Sequence, residues 1–479
     1  MPGKHPARQT RTRIFWNRGW EKVPQIYSFA WLARLEASPI PRLTPPDGLR
    51  YVLVKVNPKT ISYRPIQKIS VIGLGKLGSC IAATFAERGF DVLGVDIDAE
   101  KVRRINDGLP PVEEPLLART ITAGRKRLRA TQDHREAVAT GLSFFIPPSS
   151  SLPDGSFTNE FLLRAMQPIA AAVREKGKRG HLFVCNSTTT PGAVDSVLKP
   201  MLEREIGGVC GRDFGLCYNP EFIALGNVVN GLLEPDMVLI GESDPASGAA
   251  LEKVYKKFNR NKPYIARMSI VSAELAKISL NSYITMKISF TNQLRIIAER
   301  FPGTDIHAIL DAIGSDSRIG RKYLRAGLSY GGPCFPRDNR LLAYSARQKG
   351  VEAPMAEASD RVNQLANVDL FQTVKAMVKP TDTVAVLGLS YKPDTYITEE
   401  SAGLALAQQL KRAGYRVVVH DFGAKPENAP SVHEFEYLHD IAALRQGGDI
   451  KLAVICCPWP QYHKVKFATG IKVFSPWKL

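Results

Sequence analysis

Gly73-Leu74-Gly75-Lys76-Leu77-Gly78 constrains the fold more than any other feature of this chain. As a bare GxGxxG pattern it says little. Its surroundings give it force. Lys68-Ile69-Ser70-Val71-Ile72 before it reads as a buried strand. Ala82, Ala83, Phe85 and Ala86 after it read as the inner face of a helix. Phe90 to Val95 is a second strand, and it ends in Asp96 about 20 residues on. That order is one βαβ unit, so the two strands lie parallel in one sheet. Each glycine has a physical role. Gly73 makes the tight turn, Gly75 lets the backbone approach a pyrophosphate, and Gly78 lets the helix pack on the strand. The helix start offers free amides and partial positive charge to the phosphates. Asp96 accepts hydrogen bonds from the adenosine ribose and repels a 2′-phosphate, so the spacing predicts NAD rather than NADP.

Strand and helix patterns continue to alternate through Leu142–Ile146, Leu182–Cys185, Phe214–Tyr218 and Met237–Ile240. This is the pattern of a doubly wound parallel sheet. From Ser272 to Arg300 apolar residues recur every three or four positions without glycine or proline, which predicts a long helix joining two domains or two subunits. More helices follow to Lys379. A second strand–glycine–helix unit begins at Asp382, with Gly388 after its first strand and Asp421 at the end of the next. The expected fold is α/β, with two Rossmann-like doubly wound domains joined by a long central helix and a helical region. The boundaries expected are 1–66 for a basic extension, 67–268 for the NAD domain, 269–380 for the central helices and 381–479 for the last domain.

The 479 residues carry a net charge of +18, unevenly placed. Residues 1–64 hold twelve Lys or Arg against Glu21, Glu36 and Asp47, which is half of the excess. The first 66 residues therefore read as a loosely ordered extension, an upstream stretch included through a wrong start codon, or an Arg-rich transit peptide. The extension is expected to be dispensable for folding and turnover. The rest of the excess suits anionic small substrates at least as well as nucleic acid, so nucleic-acid binding is not expected. No run of about 18 apolar residues lacks a charge or a helix breaker, so no membrane span is predicted. The seven cysteines show no CxxC spacing. Neither a metal site nor a redox dithiol is expected, and free thiols fit a cytoplasmic setting.

Three further strings carry chemistry. Tyr330-Gly331-Gly332-Pro333-Cys334-Phe335-Pro336-Arg337-Asp338 puts a thiol behind two glycines that allow close approach of a ligand. If the residues after Cys334 are helical, Asp338 shares its face. Lys277 and Asn281 are i, i+4 on the long helix. Tyr218-Asn219-Pro220-Glu221-Phe222 places a carboxylate after a strand.

Together these strings resemble the nucleotide-sugar 6-dehydrogenases over residues 67 to 479. LGLSYKPDTYITEES resembles that family's nucleotide-binding domain. The resemblance implies a UDP-sugar substrate, NAD as cofactor and a homodimer or larger homo-oligomer. It implies that Cys334 is the nucleophile, that Lys277 stabilises oxyanions with Asn281 beside it, and that Asp338 and Glu221 handle water. It places Lys76, Leu77 and Lys101 with the glycines and Asp96 on the cofactor. It places Tyr323, Leu324, Tyr330, Gly331, Gly332 and Lys392 on the substrate. Three positions depart from the family pattern. A second glutamate would fall at Leu225, a threonine has no counterpart in Phe145-Ile146-Pro147-Pro148-Ser149, and an arginine is replaced by Glu399.

The implied reaction removes four electrons from a primary alcohol, most simply turning UDP-glucose into UDP-glucuronate through a thiohemiacetal and a thioester on Cys334. Lys277 is expected to favour the thiolate. Two other readings stand beside it. A two-electron sugar or hydroxyacid dehydrogenase would not need Cys334, and a non-catalytic NAD-binding scaffold would not turn over. The yield of NADH per substrate separates all three.

Overall fold

A computed structural model describes residues 61–477 apart from 224 and 447. The predicted basic extension lies almost wholly outside the described residues. The first sheet is built from β1 (Lys68–Ile72), β2 (Asp91–Val95), β3 (Leu128–Thr131), β4 (Leu142–Phe145), β5 (His181–Cys185), β6 (Phe214–Tyr218), β7 (Met237–Glu242) and β8 (Tyr264–Ser269). Its helices are α1 (Lys76–Glu87), α2 (Ala99–Asp107), α3 (Leu117–Gly124), α4 (Glu160–Glu175), α5 (Lys199–Ile206), α6 (Val228–Leu233) and α7 (Pro245–Phe258). The strand order is β3-β2-β1-β4-β5-β6-β7-β8. The order reverses direction between β1 and β4, which opens a crevice at the carboxyl ends of those strands.

The parallel rule breaks once. β7 runs antiparallel to β6, pairing only Cys217 with Glu242 and Tyr218 with Gly241. A parallel neighbour needs a crossover that carries the chain back along the strand. The connection here, residues 219–236 with the short helix α6, instead brings β7 in from beyond the carboxyl end of β6, so only the last two residues of each strand meet. β3 and β8 were not expected from sequence. Both are sheet edges whose apolar runs are broken by Arg129 and Arg267. The sheet is buried on both faces. On one of them Phe85 stacks on Phe258 at 4.1 Å and on Phe144 at 5.2 Å.

The long helix α8 runs from Ile270 to Ala298, two residues earlier at each end than its apolar period suggested. Ser269 caps it by accepting from the Ser272 amide, which fixes the start upstream of the periodic run. α9 (Ile306–Ser315), α10 (Phe335–Arg347) and α11 (Pro354–Met377) follow, and α10 and α11 both pack on α8.

The second sheet has the order β11-β10-β9-β12-β13, all parallel. Its strands are β9 (Thr383–Leu387), β10 (Arg416–His420), β11 (Glu436–Tyr437), β12 (Ile450–Ile455) and β13 (Lys472–Phe474), with α12 (Ala402–Arg412) after β9. It repeats the first unit in detail. The Gly73 amide donates to Val95 O at 2.8 Å, and the Gly388 amide donates to His420 O at 2.8 Å. Leu74 N donates to Asp96 at 2.6 Å, and Leu389 N donates to Asp421 at 2.6 Å. The difference is the loop. Gly388 is followed by residues 389–401 before its helix begins, and that long loop reaches across to α10.

Candidate active site

The cofactor crevice follows from the glycines. Gly73 has φ +96°, and a Cβ there would lie 2.8 Å from Ile146 O. A Cβ on Gly78 would lie 1.8 Å from Gly73 O, so only glycine lets α1 start this close to β1. A Cβ on Gly75 would meet nothing within 4 Å. The space beside Gly75 is where a pyrophosphate fits over the start of α1. Asp96 is buried and uses both oxygens on the protein. It accepts from Leu74 N at 2.6 Å and from Asp98 N at 2.9 Å, and Lys101 Nζ stands 3.7 Å away. The carboxylate therefore shapes the turn. The residues present fit a dinucleotide. Lys76, expected on the cofactor, has its ammonium 3.9 Å over the ring of Tyr396 from the 389–401 loop. Leu77 is partly buried on α1 against the core.

Lys277, Asn281 and Asp338 form one buried cluster. Asn281 Nδ2 donates to Asp338 Oδ2 at 2.6 Å, and Lys277 Nζ is 4.0 Å from the same oxygen. Lys277 also donates to Glu221 O at 2.8 Å and lies over the Phe222 ring. That contact brings the Glu221 loop, which follows β6, against α8. Cys334 immediately precedes α10, and Asp338 N donates to Cys334 O at 2.9 Å. The thiol and the carboxylate thus share one turn, one helix packed on the other.

The electrostatics correct one expectation. Lys277 does pull the Cys334 thiol down, as Arg337 does. Desolvation and the Asp338 carboxylate outweigh them and hold the thiol above its ordinary value. Cys334 still keeps an accessible face. Burial pushes Asp338 up as well, against Lys277 and Asn281. Glu221 is pushed up to about 7 by burial, opposed by Tyr255 and Lys277.

The residues expected on the substrate lie in the segment 323–332 before α10 and at Lys392 of the last domain. Gly331 and Gly332 are expected to give a ligand clearance, and the structure shows a further reason for glycine at both. A Cβ on Gly331 would lie 2.4 Å from Glu400 O, and one on Gly332 would strike the Tyr391 ring at 2.6 Å. The glycines admit the protein's own 389–401 loop. Glu399 lies at a point of departure from the family pattern, yet its carbonyl accepts from Gly332 N at 2.8 Å, a contact any side chain allows. Tyr330 is buried, with its amide on Asn363 at 2.8 Å. Tyr323 is half-exposed in the left-handed region, φ +64°, beside buried Leu324. Lys392 Nζ donates to Leu225 O, so it ties the last domain to the loop after β6. The sequence reading passed over Glu274, Tyr255 and Arg337. Glu274 lies in the long helical run and Arg337 in the run from Tyr330 to Asp338, and only their contacts reveal them.

Comparison with known proteins agrees with this architecture from end to end. Residues 67–259 match the NAD binding domain of the UDP-glucose/GDP-mannose dehydrogenase family, residues 271–365 its central domain and residues 385–476 its UDP binding domain. A UDP-glucose 6-dehydrogenase of Haloferax volcanii is 34% identical over 403 residues, 82% of this chain and 92% of that protein. A GDP-mannose 6-dehydrogenase of Pseudomonas savastanoi pv. phaseolicola is 35% identical over 363 residues, covering 74% of this chain and 80% of its own. The solved UDP-glucose dehydrogenase of Pyrobaculum islandicum superposes with a TM-score of 0.78 at 33% identity, covering 85% of this chain and 93% of that one. A glycine crevice shaped for NAD, three domain matches in order and relatives aligned over most of their length have one reading: this chain belongs to the UDP-glucose/GDP-mannose dehydrogenase family.

Proposed function

We propose that the chain oxidises UDP-glucose to UDP-glucuronate, with Cys334 as the nucleophile. The observation that carries this is the buried Lys277–Asn281–Asp338 cluster, one helical turn from an accessible cysteine. NAD, when bound, supplies the two-electron acceptor for each of two oxidations. Lys277 offsets the charge on the sugar oxygen as the alcohol proton leaves. Cys334 then adds to the aldehyde and gives a thiohemiacetal, which holds the carbon in place for the second oxidation. The product of that step is a thioester. Glu221 takes a proton from water as water attacks it, and Asp338 orients the cluster through Asn281 and Lys277. Over the whole reaction one alcohol, two NAD and one water give one carboxylate, two NADH and three protons. Residues 67–268, 269–380 and 381–479 divide the work among cofactor, catalytic helices and nucleotide.

The match of residues 385–476 to a UDP binding domain supports a uridine nucleotide. The test is NADH appearance with UDP-glucose, UDP-N-acetylated hexosamines and GDP-mannose. The highest kcat/KM is expected for UDP-glucose. A GDP-mannose value tenfold higher reassigns the substrate.

NAD is expected to exceed NADP by at least tenfold in kcat/KM, because Asp96 repels a 2′-phosphate. Since Asp96 also holds Leu74 N, Asp96→Ala should narrow that ratio chiefly by raising the KM for NAD. Equal values for the two cofactors in the unmodified enzyme would sink this assignment.

A homodimer is the proposed assembly. Tyr283, Phe290 and Ile297 recur every seven residues along α8 and are 61%, 52% and 47% exposed. Leu365 and Val368 of α11 are each 50% exposed. Such faces are usually covered by a partner. Light scattering should return twice the chain mass or a multiple of it, and a monomer at micromolar concentration refutes the assignment. No helix among the described residues is long and apolar enough to cross a membrane. The seven free cysteines support a cytoplasmic setting.

A further inference from the structure

Glu274 is a buried ionisable group beside the reaction centre that takes no part in the proposed oxidation steps. It is fully buried on α8, three residues before Lys277. Its carboxylate accepts three hydrogen bonds, from Thr189 Oγ1 at 2.8 Å, Gly192 N at 2.6 Å and Val194 N at 3.1 Å. All three donors belong to the segment that follows β5. Burial pushes the carboxyl above its ordinary range, and these donors oppose that push. A buried carboxylate satisfied this fully fixes whatever it holds.

What it holds is the floor of the cofactor crevice. The loops after β1, β4 and β5 touch in sequence. Ile146 O abuts Gly73, Ser187 Oγ donates to Pro147 O at 2.6 Å, and Ser149 Oγ donates to Thr188 O at 2.8 Å. The circuit closes on the far side. Arg337, three residues past Cys334, donates to Ser149 O at 2.6 Å. α10 returns to α8 through Asp338 and Asn281. One ring of hydrogen bonds therefore joins the crevice loops to the helices that carry Cys334 and Lys277. Glu274 is its link on the α8 side.

We propose that Glu274 is a positioning residue for hydride transfer: it locks the loop after β5 to α8 and so sets the distance between the cofactor crevice and the carbon held at Lys277. This rests on the assignment of oxidation at Lys277 and Cys334. Hydride transfer depends steeply on that distance. A misplacement of about 1 Å costs on the order of 10²-fold in rate. A glutamine of the same size turns its NH2 donor against at least one of these donors, such as Gly192 N, and so weakens the lock without emptying the space.

The experiment measures kcat, KM and the deuterium isotope effect with a nucleotide sugar dideuterated at C6, for wild type, Glu274→Gln and Thr189→Val, with thermal melting alongside. Glu274→Gln is expected to lose about 10- to 100-fold in kcat. Its KM for the sugar nucleotide should stay within about threefold, and its isotope effect should rise as hydride transfer becomes limiting. Thr189→Val removes one donor of three and should show the same pattern more weakly. A merely structural role would lower the melting temperature and leave the isotope effect unchanged, which overturns the proposal, as does a kcat within twofold of wild type. If Glu274→Gln does not fold, Thr189→Val decides by the same isotope criterion. A wild type that makes no NADH from any nucleotide sugar overturns the functional assignment and this inference together. A normal wild type with an unaffected Glu274→Gln overturns this inference alone.

Discussion

Cys334→Ala is expected to form at most one NADH per site and to release an aldehyde, whereas the unmodified enzyme forms two NADH and a uronic acid per sugar nucleotide. The first oxidation needs Lys277 and its neighbours, all of which the substitution leaves in place. The second needs the thiohemiacetal, which alanine cannot form. Steady-state production of the acid should therefore fall by about 10³-fold or more. The fold should not suffer. Cys334 precedes α10 without a side-chain capping bond, so no helix cap is lost. Cys334→Ser tests the chemistry more finely. Its hydroxyl ionises far less readily at neutral pH, and an ester is the poorer route to hydrolysis, so it should stall too. The raised thiol sharpens the contrast. Thiolate must form as the aldehyde arrives, helped by Lys277 and Arg337, and an alcohol gains too little from the same two cations. NADH stoichiometry and mass spectrometry of protein and sugar check the prediction. Uronic acid from Cys334→Ala at a near-normal rate would refute the covalent route and favour a two-electron enzyme.

Much of this site is legible in the sequence because its chemistry is local. Cys334 and Asp338 are four apart, as are Lys277 and Asn281, and helical geometry alone predicts that each pair shares a face. The turn at Gly73, Gly75 and Gly78 is equally local, and its neighbours in sequence are its neighbours in space. Contacts across the chain are not legible in this way. Nothing near Gly331 says that Glu400 backbone will fill the space beside it. Glu400 adopts φ +49°, a left-handed conformation unusual for a glutamate, and Arg340 of α10 holds its carboxylate at 2.7 and 2.8 Å. Lys76 looks like a phosphate ligand until Tyr396, from more than 300 residues later, is found beneath its ammonium. The antiparallel turn of β7 escaped for a different reason. Direction is set by how the connection packs, and a strand's own composition carries no sign of it.

Loss of Glu221 should show most clearly in the pH profile. In the proposed mechanism its carboxylate is the base for thioester hydrolysis, and burial has moved it to about 7. The direction follows from that shift. A carboxyl titrating near 7 is half protonated there, and it loses the form that accepts a proton as pH falls. Where hydrolysis limits turnover, kcat should therefore decline below about pH 7 and level off above it. Glu221→Gln should abolish that limb and slow hydrolysis by about 10²- to 10⁴-fold, the usual worth of a positioned base. Both oxidations should survive, because Lys277 donates its hydrogen bond to the Glu221 backbone carbonyl. A burst of two NADH per site and a thioester adduct on Cys334 should then accumulate, visible by intact-protein mass. The family pattern offers a second glutamate at 225, but this chain has Leu225 there, partly buried against the core. With an apolar side chain there, position 225 supplies no second carboxylate. A pH limb that persists unchanged in Glu221→Gln would move the role to Asp338, whose carboxyl is also raised by burial and lies in the same cluster.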